Sequence, residues 1–194
     1  MSGQLTIRRA EKRDAAELAI LVDIASHGFA SWLWYGAVLR GDVETAMERG
    51  LARMRDDAAD DGWRSASIAE IDGETAGASV GHAISADILA ESSPHPSLAP
   101  LIALQQQVVG SWFVDSIAVY SSHRRKGIGR KLLEHEMSRA GENMLSLITE
   151  SHNATALNLY KGSGFAEQAR LDAFKTSEKS EPFEWVLLTR PKSN

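Results

Sequence analysis

Arg124, Arg125 and Lys126 stand directly before Gly127-Ile128-Gly129. A helical pattern begins at that point, with Ile128, Leu132, Leu133 and Met137 on one stripe. Two glycines at a helix start let the backbone come close to a ligand. The first-turn N–H groups lack intrahelical acceptors and carry the positive end of the helix dipole. Such an arrangement holds anions, and pyrophosphate is its usual occupant. The plainer alternative is a solvated basic turn ahead of a surface helix. The spacing excludes two other phosphate loops: it is neither G-x-x-x-x-G-K-[ST] nor G-x-G-x-x-G with a later acidic ribose partner.

A second group of candidate residues follows. Asn153, Ala156, Leu159, Tyr160, Gly164 and Phe165 spell N-x-x-A-x-x-L-Y-x-x-x-G-F, and Arg124, Gly127 and Gly129 spell R-x-x-G-x-G. The two patterns occur in this order, each after a strand candidate. Together they resemble the coenzyme A motifs of the GCN5-related N-acetyltransferase (GNAT) superfamily. The resemblance is specific across Asp115–Phe165 and extends more loosely from the first strand to the last.

That resemblance implies acetyl-CoA as cosubstrate and an acyltransferase activity. The acetyl group would pass by direct attack of a primary amine in a ternary complex. In such proteins the fourth and fifth strands splay, and the pantetheine arm lies in the opening like an extra strand. Backbone groups of Ile117, Ala118 and Val119 would bond the arm, with Asn153 as a further partner. The loop from Arg124 through Arg125, Lys126, Gly127, Ile128 and Gly129 to Arg130 would hold the pyrophosphate. Asparagine also favours a simple N-cap role at a helix start. Tyr160 matches the family's partner for the departing thiolate. A phenol, with a reference pKa near 10, stays protonated at neutral pH and can donate as sulfur gains charge. A backbone N–H of the fourth strand would serve the oxyanion. For the general base, Asp115, Glu150 and Glu70 are the carboxylate candidates, and His82, His123 and His152 the imidazoles. Asp115 would share the face of Ile117 if no bulge intervenes.

The elements that must position these groups are legible as a pattern. The resemblance implies an α/β fold of the α+β kind, with a mixed, mostly antiparallel sheet of about seven strands and helices on both faces. Strands are expected at Leu5–Arg8, Ser65–Ile71, Glu74–Ile84, Trp112–Tyr120, Met144–Glu150, Ala166–Phe174 and Pro182–Thr189. Asp72-Gly73 is a hairpin signal. Helices are expected over Ala15–Ile24 behind an Asp14 N-cap, over Asp42–Asp61 with an acidic, fraying end, at the glycine loop, and over Asn153–Gly162. Between the first two helices, His27–Tyr35 reads as an aromatic connection. The resemblance implies that this connection forms part of the acceptor site, which makes its Phe29, Trp32, Trp34 and Tyr35 candidates for lining it, with ordinary core or subunit-contact packing as the alternative.

Ser85–Gly110 is an insertion relative to the minimal fold, with three prolines and an apolar, helix-like Leu98–Val109 segment. An ordered insertion of this length caps a site or forms an interface, so either a lid or a homodimer contact is expected of it. The 194 residues, 43% hydrophobic, suit a single domain over 1–194. There is no cysteine, which excludes disulfides, thiolate metal sites and a cysteine acyl-enzyme. The histidines lack ligand spacing, so no metal is expected. A net charge of −5 argues against a nucleic-acid partner. No apolar run is long enough for a membrane span, and a cytoplasmic location is expected. The acceptor is expected to be a small-molecule amine. A protein or peptide amine, or a noncatalytic acyl-CoA sensor on the same fold, are the alternatives.

Overall fold

The computed structural model describes residues 3–175, 177 and 181–191. Most of the polar run expected before the last strand lies outside the described residues. The strands are β1 (Leu5–Arg9), β2 (Ala66–Ile71), β3 (Glu74–Ala83), β4 (Trp112–Val119), β5 (Leu145–Glu150), β6 (Ala166–Asp172) and β7 (Glu184–Arg190). The helices are α1 (Ala15–Ala25), α2 (Phe29–Leu39), α3 (Ala46–Arg55), α4 (Ala99–Gln105), α5 (Ile128–Ala140) and α6 (Ala154–Lys161). The strand order is β1-β2-β3-β4-β5-β7-β6, mostly antiparallel with β4 and β5 parallel. The chain divides into two compact units, 1–82 with 115–139, and 83–114 with 140–194.

In the first unit the sheet strands are covered on both faces. Ala66 and Ile68 of β2 pack with Ala78, Val80 and Ala118 against Leu18, Leu21 and Met54 of α1 and α3. On the other face Ala69 and Ala76 meet Ile128 and Leu132 of α5, with Ile117 and Val119 beside them; Ala76 sits where the β2–β3 register shifts between Ala69↔Gly77 and Glu70↔Thr75. Gly77 permits the close approach of β3 to β4, because a side chain there would collide with the carbonyl oxygen of Ala118. Asp72 and Gly73, both at positive φ, make the β2–β3 hairpin turn as its two residues demand.

The aromatic stretch expected as a connection is helix α2. Its start is built by side chains of the preceding helix: Ser26 Oγ accepts from Ala30 N at 3.0 Å, and Asp23 Oδ1 accepts from Ser31 N at 2.8 Å. His27 and Gly28, at φ 51° and 87°, make the turn between the two helices. Asp14 stands at the N-cap position of α1, as expected. Its carboxylate makes no cap bond to α1 but accepts from Glu11 N at 2.7 Å and from Arg8 at 2.7 and 3.1 Å. That Arg8 bond holds the Asp14 carboxyl below its ordinary range. The predicted Asp42–Asp61 helix is shorter, because Thr45 caps it by accepting from Glu48 N and the acidic run lies beyond its end.

In the second unit β5 pairs with β7 along its whole length and β7 with β6, while β4 meets β5 at Trp112↔Leu145 and Phe113↔Ser146. The buried hydroxyls of Ser111 and Ser146 share a hydrogen bond of 2.6 Å beside that pairing. The insertion resolves into short 3-10 turns and the brief helix α4, which packs on β6 and β7. Leu104 and Val108 are fully buried there. The expected continuous helix over Leu98–Val109 is broken by the 3-10 turn at Gln106–Val108, and Gly110 follows at φ 84°.

Candidate functional site

In the first unit β4 delivers the chain to the glycine loop. The end of the strand is fixed twice: Tyr120 N donates to Ala76 O at 3.0 Å, and the Tyr120 hydroxyl donates to Glu17 Oε1 of α1 at 2.7 Å. Burial, then this carboxylate, raises the Tyr120 pKa well above the ordinary tyrosine value. A 3-10 turn at Ser121–His123 follows. Arg124 Nε then reaches back to Val119 O at 3.0 Å, and Lys126 Nζ to Ser122 O at 3.1 Å. Arg124 thus fastens the loop to the strand it leaves. Arg125 and Gly127 adopt positive φ, 66° and 81°.

The helix α5 makes its first intrahelical bond from Lys131 N to Gly127 O at 3.1 Å. The amides of Ile128, Gly129 and Arg130 precede it and find no acceptor among the described residues. At Gly127, a Cβ would meet nothing within 4 Å. Arg125, Lys126 and Arg130 are exposed around this helix start.

Asp115 and Ile117, two residues apart on β4, meet different surroundings. Ile117 packs on the α5 side. Asp115 instead feels the charges of Asp61, His82 and Arg53, the last on α3. The Asp115 carboxylate is open to solvent yet crowded by surrounding protein. Crowding pushes its pKa up and Asp61 adds to this, while His82, Ser116 and Arg53 oppose it.

A carboxyl whose folded pKa is raised contributes its full stability below the ordinary aspartate value and loses it as pH rises through the folded value. Asp115→Asn should therefore gain in melting temperature over the wild type above about pH 4, with the two converging below it. Melting curves between about pH 3 and 8 test this. A pH-independent difference would refute the assignment of the shift to Asp115.

Among the other carboxylates, Glu70 is held by Arg8 Nε at 2.8 Å. Glu150 ends β5 in the second unit, buried, with His152 Nε2 3.4 Å away. Asn153 is the N-cap of α6, its Oδ1 accepting from Ala156 N at 3.1 Å. Tyr160 lies near the end of α6, half-buried, its ring 6.0 Å from that of Phe165. Its hydroxyl has no hydrogen-bond partner among the described residues, and burial pushes its pKa up to about 12. The four aromatics of α2 separate. Trp34 packs against Gly50 and the α1–α3 core, Phe29 and Trp32 stack at 5.9 Å, and Tyr35 is half-exposed. Sequence reasoning missed Tyr120 as the strand anchor and Arg53 and Asp61 as neighbours of Asp115. No local signal marks any of them.

A family model described as the acetyltransferase (GNAT) family matches residues 39–165. The chain belongs to the GNAT family. Among curated GNAT relatives, N-alpha-acetyltransferase 30 of Saccharomyces cerevisiae is 34% identical over 84 residues, 42% of this chain and 47% of that protein. The ribosomal protein bS18-alanine N-acetyltransferase of Escherichia coli K12 is 38% identical over 68 residues, 34% of this chain and 46% of that protein. The chain thus spans about half the length of the curated relatives it matches. The fold matches that of a Salmonella typhimurium protein solved with its cofactor acetyl-CoA. That match has a TM-score of 0.58 and 19% identity, and covers 98% of this chain and 95% of the other. Acetyl-CoA is the cofactor of the GNAT family. The unpartnered amides of α5 and the open space at Gly127 fit its pyrophosphate. No described helix is long and apolar enough to cross a membrane.

Proposed function

We propose that this chain is an acetyl-CoA-dependent N-acetyltransferase that moves an acetyl group to a primary amine by direct attack in a ternary complex. The observation that carries this reading is the row of unpartnered amides, Ile128 to Arg130, beside the open Gly127. When bound, acetyl-CoA supplies an activated acyl group as a thioester. The loop amides from Arg125 to Arg130 hold the pyrophosphate, and Arg124 keeps the loop on its strand. Backbone groups of Ile117, Ala118 and Val119 take the pantetheine arm. Asn153 keeps its amide nitrogen for the same arm while its oxygen caps α6. Asp115 is the preferred base for the acceptor ammonium, since a raised carboxyl pKa makes it the stronger proton acceptor. Glu150, buried beside His152, is the second candidate. Tyr160 gives its hydroxyl proton or hydrogen bond to the departing sulfur. Phe29, Trp32 and Tyr35 remain candidates for acceptor contact, whereas Trp34 is committed to packing.

The acceptor is a small-molecule amine in the first reading. A polypeptide amine is the second, favoured by the printed activities of the two curated relatives. Release of free CoA with a panel of small amines and peptides separates these two readings. No release with any of them would favour the noncatalytic sensor. For the cofactor site the test is Gly127→Ala. A side chain at φ 81° costs about 1–2 kcal/mol and enters the space assigned to pyrophosphate. CoA affinity should fall about tenfold, read by calorimetry. An unchanged affinity would remove the loop from the cofactor site.

A further inference from the structure

The two halves of α5 are held by different physics. Its N-terminal half rests on apolar contacts of Ile128 and Leu132 with Ala69, Ala76, Ile117 and Val119. Such contacts are non-directional and tolerate rotation or sliding of the helix. Its C-terminal half is held by a directional polar lattice. Glu136, fully buried, accepts from Ser79 Oγ of β3 at 2.6 Å and from Arg139 Nη1 at 2.9 and 3.1 Å. Arg139 in turn donates to Ser65 O at 2.8 Å and Gly81 O at 3.3 Å. His135 Nε2 and the buried Ser67 Oγ of β2 lie 3.0 Å apart in a further hydrogen bond.

Glu136 lies seven residues after Gly129, close to two helical turns, so both fall on one stripe of α5. A helix displaced by one residue turns by about 100°, which would aim the first-turn amides away from their anion. We infer that the Glu136–Arg139 pair positions the cofactor end of α5, fixing its rotation and depth against β2 and β3. The inference rests on the acetyl-CoA reading above. Stability alone does not require a buried ion pair here. Well-packed apolar residues of similar volume serve as well or better, whereas directional bonds specify a single arrangement.

The test is Glu136→Leu combined with Arg139→Met, which keeps volume while removing every directional bond of the pair. Melting temperature and CoA affinity by calorimetry are measured together, in wild type and variant. The expected result is a melting temperature near the wild-type value and a CoA Kd raised about tenfold or more, the loss of roughly one charge-assisted hydrogen bond. A folded double variant with wild-type CoA affinity would overturn the positioning role. If the double variant does not fold, Ser79→Ala removes the β3 anchor alone. It should raise the Kd about threefold, and an unchanged value again overturns the inference. A wild-type protein that does not bind CoA would be a different failure, since it removes the acetyl-CoA reading itself and this inference with it.

Discussion

Tyr160→Phe is expected to fold, to bind CoA with wild-type affinity and to lose roughly 100-fold or more in turnover. The substitution keeps the ring and its contact with Phe165, so the packing of α6 is preserved. Only the hydroxyl is lost, and no described residue engages it. With its pKa raised to about 12 by burial, the phenol remains neutral throughout the physiological range. In the proposed reaction it is the donor, and sulfur gaining negative charge is the acceptor that the reaction creates. A tyrosine retained for packing would give a different result, because phenylalanine fills the same volume without loss of rate. Single-turnover transfer to any amine identified by the CoA-release panel makes chemistry the measured step. Equal rates for the two proteins under those conditions would exclude Tyr160 from proton donation.

The turn and helix start at Arg124–Gly129 were legible because their signal is local. Arg124, Gly127 and Gly129 act through backbone conformation and helix start, both written in consecutive residues. The same holds for the Asp72-Gly73 hairpin, for Asn153 as a cap, and for the acidic run that ends α3. Helix α2 was not legible in the same way. Phe29–Leu39 is apolar around most of its circumference and gives little periodic contrast, while its capping groups, Asp23 and Ser26, belong to the preceding helix and its end. Asp14 holds the N-cap position of α1 without a side-chain cap bond for a related reason: Arg8 and Glu11 N claim its carboxylate.

Interactions between distant segments leave no sequence pattern. Ser79 and Glu136 are 57 residues apart, and Glu17 and Tyr120 are 103 apart. The face of Asp115 depended on a bulge that period-two reasoning could only name as a condition. The structure places Asp115 within electrostatic reach of Arg53 and Asp61.

The insertion calls for a different experiment from the one its sequence invites. An apolar segment with no visible partner suggests a lid or a subunit contact, and replacing it with a flexible linker would seem a clean test. Helix α4, however, packs on β6 and β7, with Leu104 at 0% and Val108 at 1% exposure. The apolar face is therefore satisfied within its own unit, and a linker would remove part of that core. Leu104→Ala should destabilise the protein by about 2–5 kcal/mol through lost burial and the cavity left behind. Urea unfolding measures this, and a loss below about 1 kcal/mol, the range of surface substitutions, would contradict the burial of α4. The outward residues then become the proper probes of assembly. Leu89 and Val109 are 61% and 38% exposed, so Leu89→Ser with Val109→Ser leaves the core intact. Any change in sedimentation from that pair reports an interface rather than an unfolded unit.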